Sequence, residues 1–312
     1  MRRIVLIASL GLMSLSMQAQ SISLAGEWQV ELGESKSAFA KSKRASQGEV
    51  KRAILPGTID TNHLGFAPKD TMETTHLTRL YAYKGAARYS RTINIPKDWK
   101  KKPVELFLER TRPTWVYVDG ELVDSCNFIS TPQRYLLPKK VKPGKHLLEI
   151  VVDNGRGVPE QVYGSSHAYT EDTQTNWNGI IGRIELQLVS STDCKSTETL
   201  AGAISSRSVV PLAGAVPSRS VVSPSALQMP DFAKDFHIKG AHFYANGHRI
   251  FLRGKHDAAV WPLTGHVEMS VEGWMKYLGT CKKYGINHVR FHSWCPPEAA
   301  FVAADSLGIY LQ

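Results

Sequence analysis

The chain has 312 residues, of which 42% are hydrophobic and 21% are charged. This composition is typical of a globular protein and excludes a disordered or collagen-like chain. The formal net charge is +10, but the lysines cluster in two Pro-containing turn segments, PKDWKKKP and PKKVKPGK. Because these segments lack interleaved aromatic residues and a helical stripe, they argue against a nucleic-acid-binding protein and leave an acidic polysaccharide open as a partner.

Residues 1–20 have the pattern of a secretory signal peptide. Arg2 and Arg3 precede an apolar run from Ile4 to Met13, and small residues follow in MQAQ. The run is too short to span a bilayer, so a cleaved signal is favoured over a buried N-terminal helix. No other stretch approaches 18 apolar residues. We therefore expect a periplasmic or secreted protein that has no membrane segment after cleavage.

The four cysteines are far apart in the sequence and form no CxxC pair: Cys126, Cys194, Cys281 and Cys295. Export permits disulfides, but a chain of this size does not require them. We expect mostly free thiols.

Residues 21–190 alternate short β-rich runs with turn signals. Period-two patterning, or enrichment in β-branched and aromatic residues, is present in GEWQVEL, ARYSRTINI, VELFLERT, TWVYVDGELV, KHLLEIVVDN and GRIELQLV. Pro-Gly, Asp-Gly and Asn-Gly pairs separate these runs, as hairpins and loops require. The pattern predicts a mainly β fold that begins with a β-sandwich of the jelly-roll type.

Residues 191–235 form a low-complexity segment rich in Ser, Ala, Val and Pro. It contains a near repeat, AGAISSRSVV and AGAVPSRSVV, which starts at Ala201 and at Ala213. Two copies are too few, and the period is too short, for a solenoid. We interpret the segment as a linker.

From residue 236 the pattern changes to alternating strands and helices. HRIFLRGKH and NHVRFHS are predicted strands, and IYLQ begins another. SVEGWMKYLGTCKKYG starts with a Ser cap and ends at Gly, and PPEAAFVAADSLG starts with Pro and ends at Gly, which frames two helices. Residues 236–312 are therefore predicted to form the first part of a parallel (β/α) barrel.

Several of these stretches resemble glycoside hydrolase family 2, the family of β-galactosidases, β-glucuronidases and β-mannosidases. LAGEWQVEL, ILPGTID, GAARYSRTINIPKDW, PVELFLERTRPTWVYVDGELV, PGKHLLEIVVDN and NWNGIIGRIELQL match its sugar-binding jelly roll, in family order. FYANGHRIFLRGKHD and YGINHVRFHSWCPP match the start of its catalytic barrel. The resemblance implies an exported enzyme that hydrolyses O-glycosidic bonds of β-glycosides, with an oligo- or polysaccharide partner and no cofactor.

Two departures from the family affect this expectation. The linker replaces the usual immunoglobulin-like domain, and the barrel pattern covers about two and a half of eight units. The catalytic glutamates of the family lie on later barrel strands, so we expect no catalytic residue here and no hydrolysis by this chain. Glu298 and Asp305 share a helix face, which predicts a solvated surface and not a catalytic pair. A non-catalytic carbohydrate-binding module is the alternative function.

The resemblance also implies sugar-binding residues. Arg290 resembles the family arginine that orients a catalytic glutamate, and His256 with Asp257 matches a pocket histidine. The family histidine three positions after the arginine is Ser293 here, and His292 stands one residue earlier. Trp294 could stack on a sugar ring. The predicted sugar-binding set also includes two residues of TNWNGI: Asn176 and Asn178.

Each of these seven residues also has a structural interpretation, such as a buried Trp or an Asn in a turn. A zinc site built on His288, His292 and Cys295 is an alternative, but no CxxC or HExxH pattern accompanies these residues, and we expect no metal.

Overall fold

The computed structural model describes residues 21–33, 49–68, 72, 74–75, 77–189, 235–258 and 260–312. The predicted signal peptide, Cys194 and all of the predicted linker except Asp235 lie outside these residues. Cys126, Cys281 and Cys295 are free thiols. No helix in the described ranges has the length and apolar character needed to cross a membrane.

Two antiparallel sheets form a sandwich. The strands are β1 (Ser21–Ser23), β2 (Gly26–Gly33), β3 (Lys51–Leu55), β4 (Gly57–Thr58), β5 (Ala86–Ile95), β6 (Val104–Thr111), β7 (Thr114–Val118), β8 (Glu121–Cys126), β9 (Gln133–Leu136), β10 (Gly144–Asp153) and β11 (Gly179–Leu188). One sheet has the order β3-β2-β5-β10-β7-β8, and the other has β1-β11-β6-β9, with β4 also paired to β11.

The sandwich core lies between the inward faces of these sheets. Alternate residues of the strands point inward, and Trp28, Tyr89, Leu106 and Leu148 are almost fully buried there. Asp119 and Gly120 both have positive φ and turn the β7–β8 hairpin, as the Asp-Gly pair predicts. Among the described residues of this region there are also a 3-10 turn, Lys97–Trp99, and a short helix, α1 (Glu160–Ser165).

A three-stranded antiparallel sheet follows the linker and was not predicted from the sequence. Its strands are β12 (Phe236–Lys239), β13 (His242–Ala245) and β14 (His248–Ile250). The single strand predicted for HRIFLRGKH is therefore wrong: it divides into β14 and the next strand, β15 (Gly254–Asp257), with no strand at residues 251–253. The two halves pair with different sheets.

The remaining elements match the predicted βα order. β15 is followed by α2 (Val271–Lys283), β16 (His288–Phe291), α3 (Glu298–Leu307) and β17 (Tyr310–Leu311). β15, β16 and β17 are parallel neighbours. Ser270 caps α2 by accepting the Gly273 backbone N–H, and Gly308 ends α3 in the left-handed conformation, as the cap residues predict. The predicted class, a mainly β fold with a sandwich and an open βα segment, is confirmed.

Candidate functional site

An open pocket of about 370 Å³ lies at the carboxyl ends of the parallel strands β15 and β16. We call it the strand-end pocket. Its lining residues are His256, Arg290, Phe291, His292 and Ser293. In parallel βα folds, the carboxyl ends of strands are where ligand sites are built.

Strand register explains why these side chains converge. His256 on β15 is directly opposite Arg290 on β16, so the two side chains share a sheet face. His292 follows Arg290 by two residues and therefore points to the same side. Ser293 turns the chain out of the strand with a left-handed φ of 58°, and its hydroxyl is 2.7 Å from His292 Nδ1.

Three imidazoles form a row beside the pocket. The ring centroids of His256 and His292 are 4.7 Å apart, and those of His292 and His167 are 4.2 Å apart. His167 belongs to the sandwich loop, which we define as residues 166–178 between α1 and β11. The third member of the row therefore comes from the other part of the fold.

Two hydrogen bonds hold the sandwich against this end of the sheet. Ser166 Oγ donates to the carbonyl of Ser293 over 3.1 Å, and the Arg110 guanidinium donates to the carbonyl of Cys295 over 2.8 Å. His167 was not predicted from the sequence. Its only signal was its position in the loop that also contains the predicted residues Asn176 and Asn178.

Arg112 organises the sandwich loop from inside. Its guanidinium is fully buried and donates to the carbonyls of Ala168, Thr175 and Trp177 at 2.6, 3.0 and 3.1 Å. It also lies over the rings of Tyr169 and Trp177, 4.2 and 4.0 Å from their centroids. Arg112 thereby connects both ends of the loop that presents His167.

The lining of the strand-end pocket is cationic. The Arg290 guanidinium supplies the positive charge, two imidazoles line the pocket beside it, and none of the described lining residues is a carboxylate. Such a pocket favours an anionic group, because a guanidinium gives strong charge-assisted hydrogen bonds to a carboxylate.

Asp257 and Trp294 were predicted to bind sugar, but both are buried, and neither is among the described lining residues of the strand-end pocket. Asp257 is buried, and its carboxylate accepts a hydrogen bond from the Tyr277 hydroxyl of α2. Burial and this carboxylate raise the pKa of Tyr277, so its hydroxyl stays protonated and donates. The Trp294 indole is also buried, 4.8 Å from the Phe291 ring centroid. These contacts give both residues a structural role, and their sugar-binding role stays a prediction.

Asn176 and Asn178 also make structural hydrogen bonds, and their sugar-binding role stays a prediction. Asn178 is fully buried, and its amide donates to the carbonyls of Gly85 and Val152 at 2.9 and 3.0 Å. Asn176 is buried and donates to the carbonyl of Asn154 at 3.0 Å. These amides fasten the sandwich loop to neighbouring strands and do not face the pocket.

The carboxylates of α3 lie outside the pocket. Glu298 is exposed and is 3.4 Å from Arg183 of the sandwich, and Asp305 is exposed. Within the described ranges, no group of three or more His, Cys, Asp or Glu side chains is arranged to hold a metal ion.

Acid should weaken the contact between the sandwich loop and the pocket. Burial, together with the nearby His292 and His256 imidazoles, lowers the pKa of His167 below its ordinary value of 6.5, against an opposing effect of Asp172. Below pH 6.5 the unfolded or undocked loop then binds more protons than the docked one. The stabilisation by neutral His167 is thus complete above pH 6.5 and is lost as the pH falls.

Amide hydrogen exchange of residues 166–178 at pH 7.5 and pH 5 measures this effect, once intrinsic exchange rates are corrected for pH. We expect a His167→Gln variant to lose part of the pH dependence, whereas His248→Gln, at an exposed histidine of β14, should keep it. An unchanged pH dependence in His167→Gln would contradict the prediction.

Solved structures with a similar fold include glycosidases. The chain is similar to a β-glucuronidase from Faecalibacterium prausnitzii, with a TM-score of 0.58 and 14% identity over 95% of this chain and 60% of that one. A family 2 β-galacturonidase from Eisenbergiella tayi, bound to galacturonate, matches with a TM-score of 0.57 and 15% identity over 94% and 57%. The chain thus has a glycoside hydrolase family 2-like fold.

A third similar structure is a β-glucuronidase from Ruminococcus gnavus in complex with D-glucuronic acid. Its TM-score is 0.60 at 13% identity, over 95% of this chain and 59% of that one. The present chain therefore spans somewhat less than two thirds of the length of these enzymes. Comparison with protein-family models and with curated proteins finds no match to the sequence.

Proposed function

We propose that this protein is an exported member of the family 2 glycoside hydrolases, that it acts in carbohydrate metabolism, and that its strand-end pocket binds the sugar of a β-glycoside without hydrolysing it. The observation that carries the proposal is the convergence of Arg290, His256 and His292 at the carboxyl ends of parallel strands, with His167 added from the sandwich. The similar folds of β-glucuronidases and a β-galacturonidase support it. Export is proposed from the signal-peptide pattern of residues 1–20 and places the protein in the periplasm or outside the cell.

The charge of the pocket favours a sugar acid. A uronate carboxylate could accept two parallel hydrogen bonds from the Arg290 guanidinium, while the imidazoles can donate to or accept from hydroxyl groups. The solved structures with bound galacturonate and glucuronic acid are consistent with this class of ligand.

A binding function without catalysis is favoured for the 312-residue chain itself. Glycoside hydrolysis requires two carboxyl groups beside the scissile bond, one of them a proton donor. The described lining of the pocket contains no carboxyl group. The nearby Asp257 carboxylate is buried and accepts a hydrogen bond from the Tyr277 hydroxyl instead.

Calorimetric titration with D-glucuronate and D-galacturonate tests the binding proposal. We expect millimolar affinity that falls by about 10- to 100-fold in Arg290→Ala, because charge-assisted hydrogen bonds are lost. Arg249→Ala, at an exposed arginine of β14, is the matched control and should bind as the unaltered chain does. Equal affinity in Arg290→Ala would place the sugar elsewhere.

A turnover assay tests the proposed lack of hydrolysis. The purified 312-residue chain and its Arg290→Ala variant would be incubated with nitrophenyl β-galactoside, β-glucuronide and β-mannoside, and we expect no release of nitrophenol from any. Turnover by the unaltered chain that disappears in Arg290→Ala would contradict this prediction. It would show that a carboxylate such as Asp257 or Glu298 takes part in hydrolysis.

A further inference from the structure

A second groove of about 500 Å³ lies between the sandwich and the segment that follows β15. We call it the interface groove. Its lining includes Asp60, His63, Arg79, Tyr81, Thr175 and the segment 262–265. It shares no lining residue with the strand-end pocket, and its volume falls within the range of about 300–1,000 Å³ that is usual for small-molecule sites.

The floor of the interface groove is a fixed ionic cluster. The Arg79 guanidinium is 3.3 Å from Asp60 Oδ2 and 2.7 Å from Glu171 Oε1, and it also donates to the carbonyl of Asn176 at 3.3 Å. The Arg79 side chain is only 10% exposed. Burial raises the pKa of Asp60, but even with Asp60 protonated the cluster is not positive, because Glu171 balances Arg79. The groove therefore does not attract an anion as the strand-end pocket does.

One wall of the groove is aromatic. The rings of His63 and Tyr81 are stacked, with centroids 4.7 Å apart and an interplanar angle of 18°. His63 is exposed and has a left-handed φ of 58° at the end of a turn in which its N–H donates to the Asp60 carbonyl. A flat ring surface of this kind is suited to the C–H face of a pyranose.

The opposite wall is attached to the sandwich by a strained residue. Thr175 has a φ of 58°, which is a genuine outlier for a β-branched residue. Its hydroxyl donates to the carbonyl of Gly265 at 3.0 Å, so the segment 262–265 is held at a set distance from the floor. Backbone strain of this kind is concentrated at ligand-binding sites.

We propose that the interface groove is a second carbohydrate-binding site, which takes an uncharged sugar unit. An aromatic wall and an uncharged or negative floor match a polyhydroxylated ring without a carboxylate, and they match a uronate poorly. The two sites would then hold different sugars, an acidic one at the strand ends and a neutral one in the groove. This inference does not depend on the proposed glycosidase function.

Saturation-transfer NMR and calorimetry of the full chain with the methyl β-glycosides of glucose, galactose and mannose test the proposal. His63→Asn removes the ring but suits the left-handed backbone, since Asn adopts it readily, and Tyr81→Leu removes the aromatic plane at similar bulk. We expect each to weaken neutral-sugar binding by about 3- to 10-fold. Tyr284→Leu, at a tyrosine that is 83% exposed beyond α2, is the matched control, and unchanged melting temperatures would confirm folding.

The Arg290→Ala variant separates this site from the proposed sugar-acid site. We expect Arg290→Ala to keep neutral-sugar binding and to lose D-glucuronate binding. We expect Tyr81→Leu to keep D-glucuronate binding and to weaken neutral-sugar binding. Absence of binding for all three neutral glycosides, or loss of neutral-sugar binding in Arg290→Ala but not in Tyr81→Leu, would overturn the proposal.

Discussion

Replacement of Arg112 by methionine is expected to lower the free energy of unfolding by about 3 kcal/mol and to release the sandwich loop. A methionine side chain replaces much of the apolar part of the Arg112 side chain. It leaves the carbonyls of Ala168, Thr175 and Trp177 without their hydrogen-bond donor. Each lost hydrogen bond costs about 1 kcal/mol net, and the cation–π contacts with two rings are lost as well. Burial lowers the pKa of Arg112 to about 10, so relief from burying this charge offsets part of the loss.

Urea unfolding and hydrogen exchange of residues 166–178 would measure this effect. Arg112→Lys should be intermediate, because an ammonium cannot reproduce the planar fork of donors. Arg52→Met is the matched control: the Arg52 side chain is 81% exposed, and its ion pair with Glu27 is 3.5 Å long, so we expect a change below about 0.5 kcal/mol. A stability loss in Arg112→Met no larger than that of Arg52→Met would contradict the proposed anchoring role.

Replacement of Trp274 by alanine is expected to cost about 3–5 kcal/mol, most of it within the parallel-sheet segment. Trp274 on α2 is fully buried against other aromatic rings, including Trp261 at 5.3 Å and Phe291 at 6.0 Å between centroids. Its indole N–H donates to the Glu268 carbonyl at 2.8 Å. The substitution removes the largest fully buried side chain of α2 and leaves a cavity between that helix and β16.

The expected signature of Trp274→Ala is a local loss of structure. Hydrogen exchange should accelerate across α2, β16 and α3, and also near Trp177 and Ile181, which belong to the same core cluster as Trp274. The other strands of the sandwich should stay protected, because the core between its two sheets is a separate cluster. Tyr284→Ala, at the exposed end of the same helix, should change little. Uniform loss of protection throughout the chain would show instead that both parts unfold as one unit.

The sequence was sufficient for most elements because their signals are local. Period-two alternation predicts strands such as β5 and β10, and Ser270 with Gly308 marks the start of one helix and the end of another. The prediction of one strand was wrong at HRIFLRGKH, where β14 and β15 follow each other with only three residues between them. Both halves have the composition of a strand, and only their pairing with different sheets separates them.

For the candidate site too, some features could be predicted from the local sequence and others could not. Arg290 and His292 could be placed on one face of β16 from their spacing alone, because alternation along a strand is a property of the local backbone. The register that puts His256 opposite Arg290, and the docking of the sandwich loop that brings His167 to His292, arise from contacts between distant segments.

Burial was likewise decided by the tertiary structure. Asp257, Trp294, Asn176 and Asn178 have side chains that could bind a sugar, but packing directs them to Tyr277, to Phe291 and to backbone carbonyls of the sandwich. The interface groove has no local sequence signal, because its two walls are more than a hundred residues apart in the chain. The sequence by itself therefore determined the elements and the residue types at one strand end. Only folding decided which of those groups face a ligand, because exposure and proximity depend on which distant surfaces pack together.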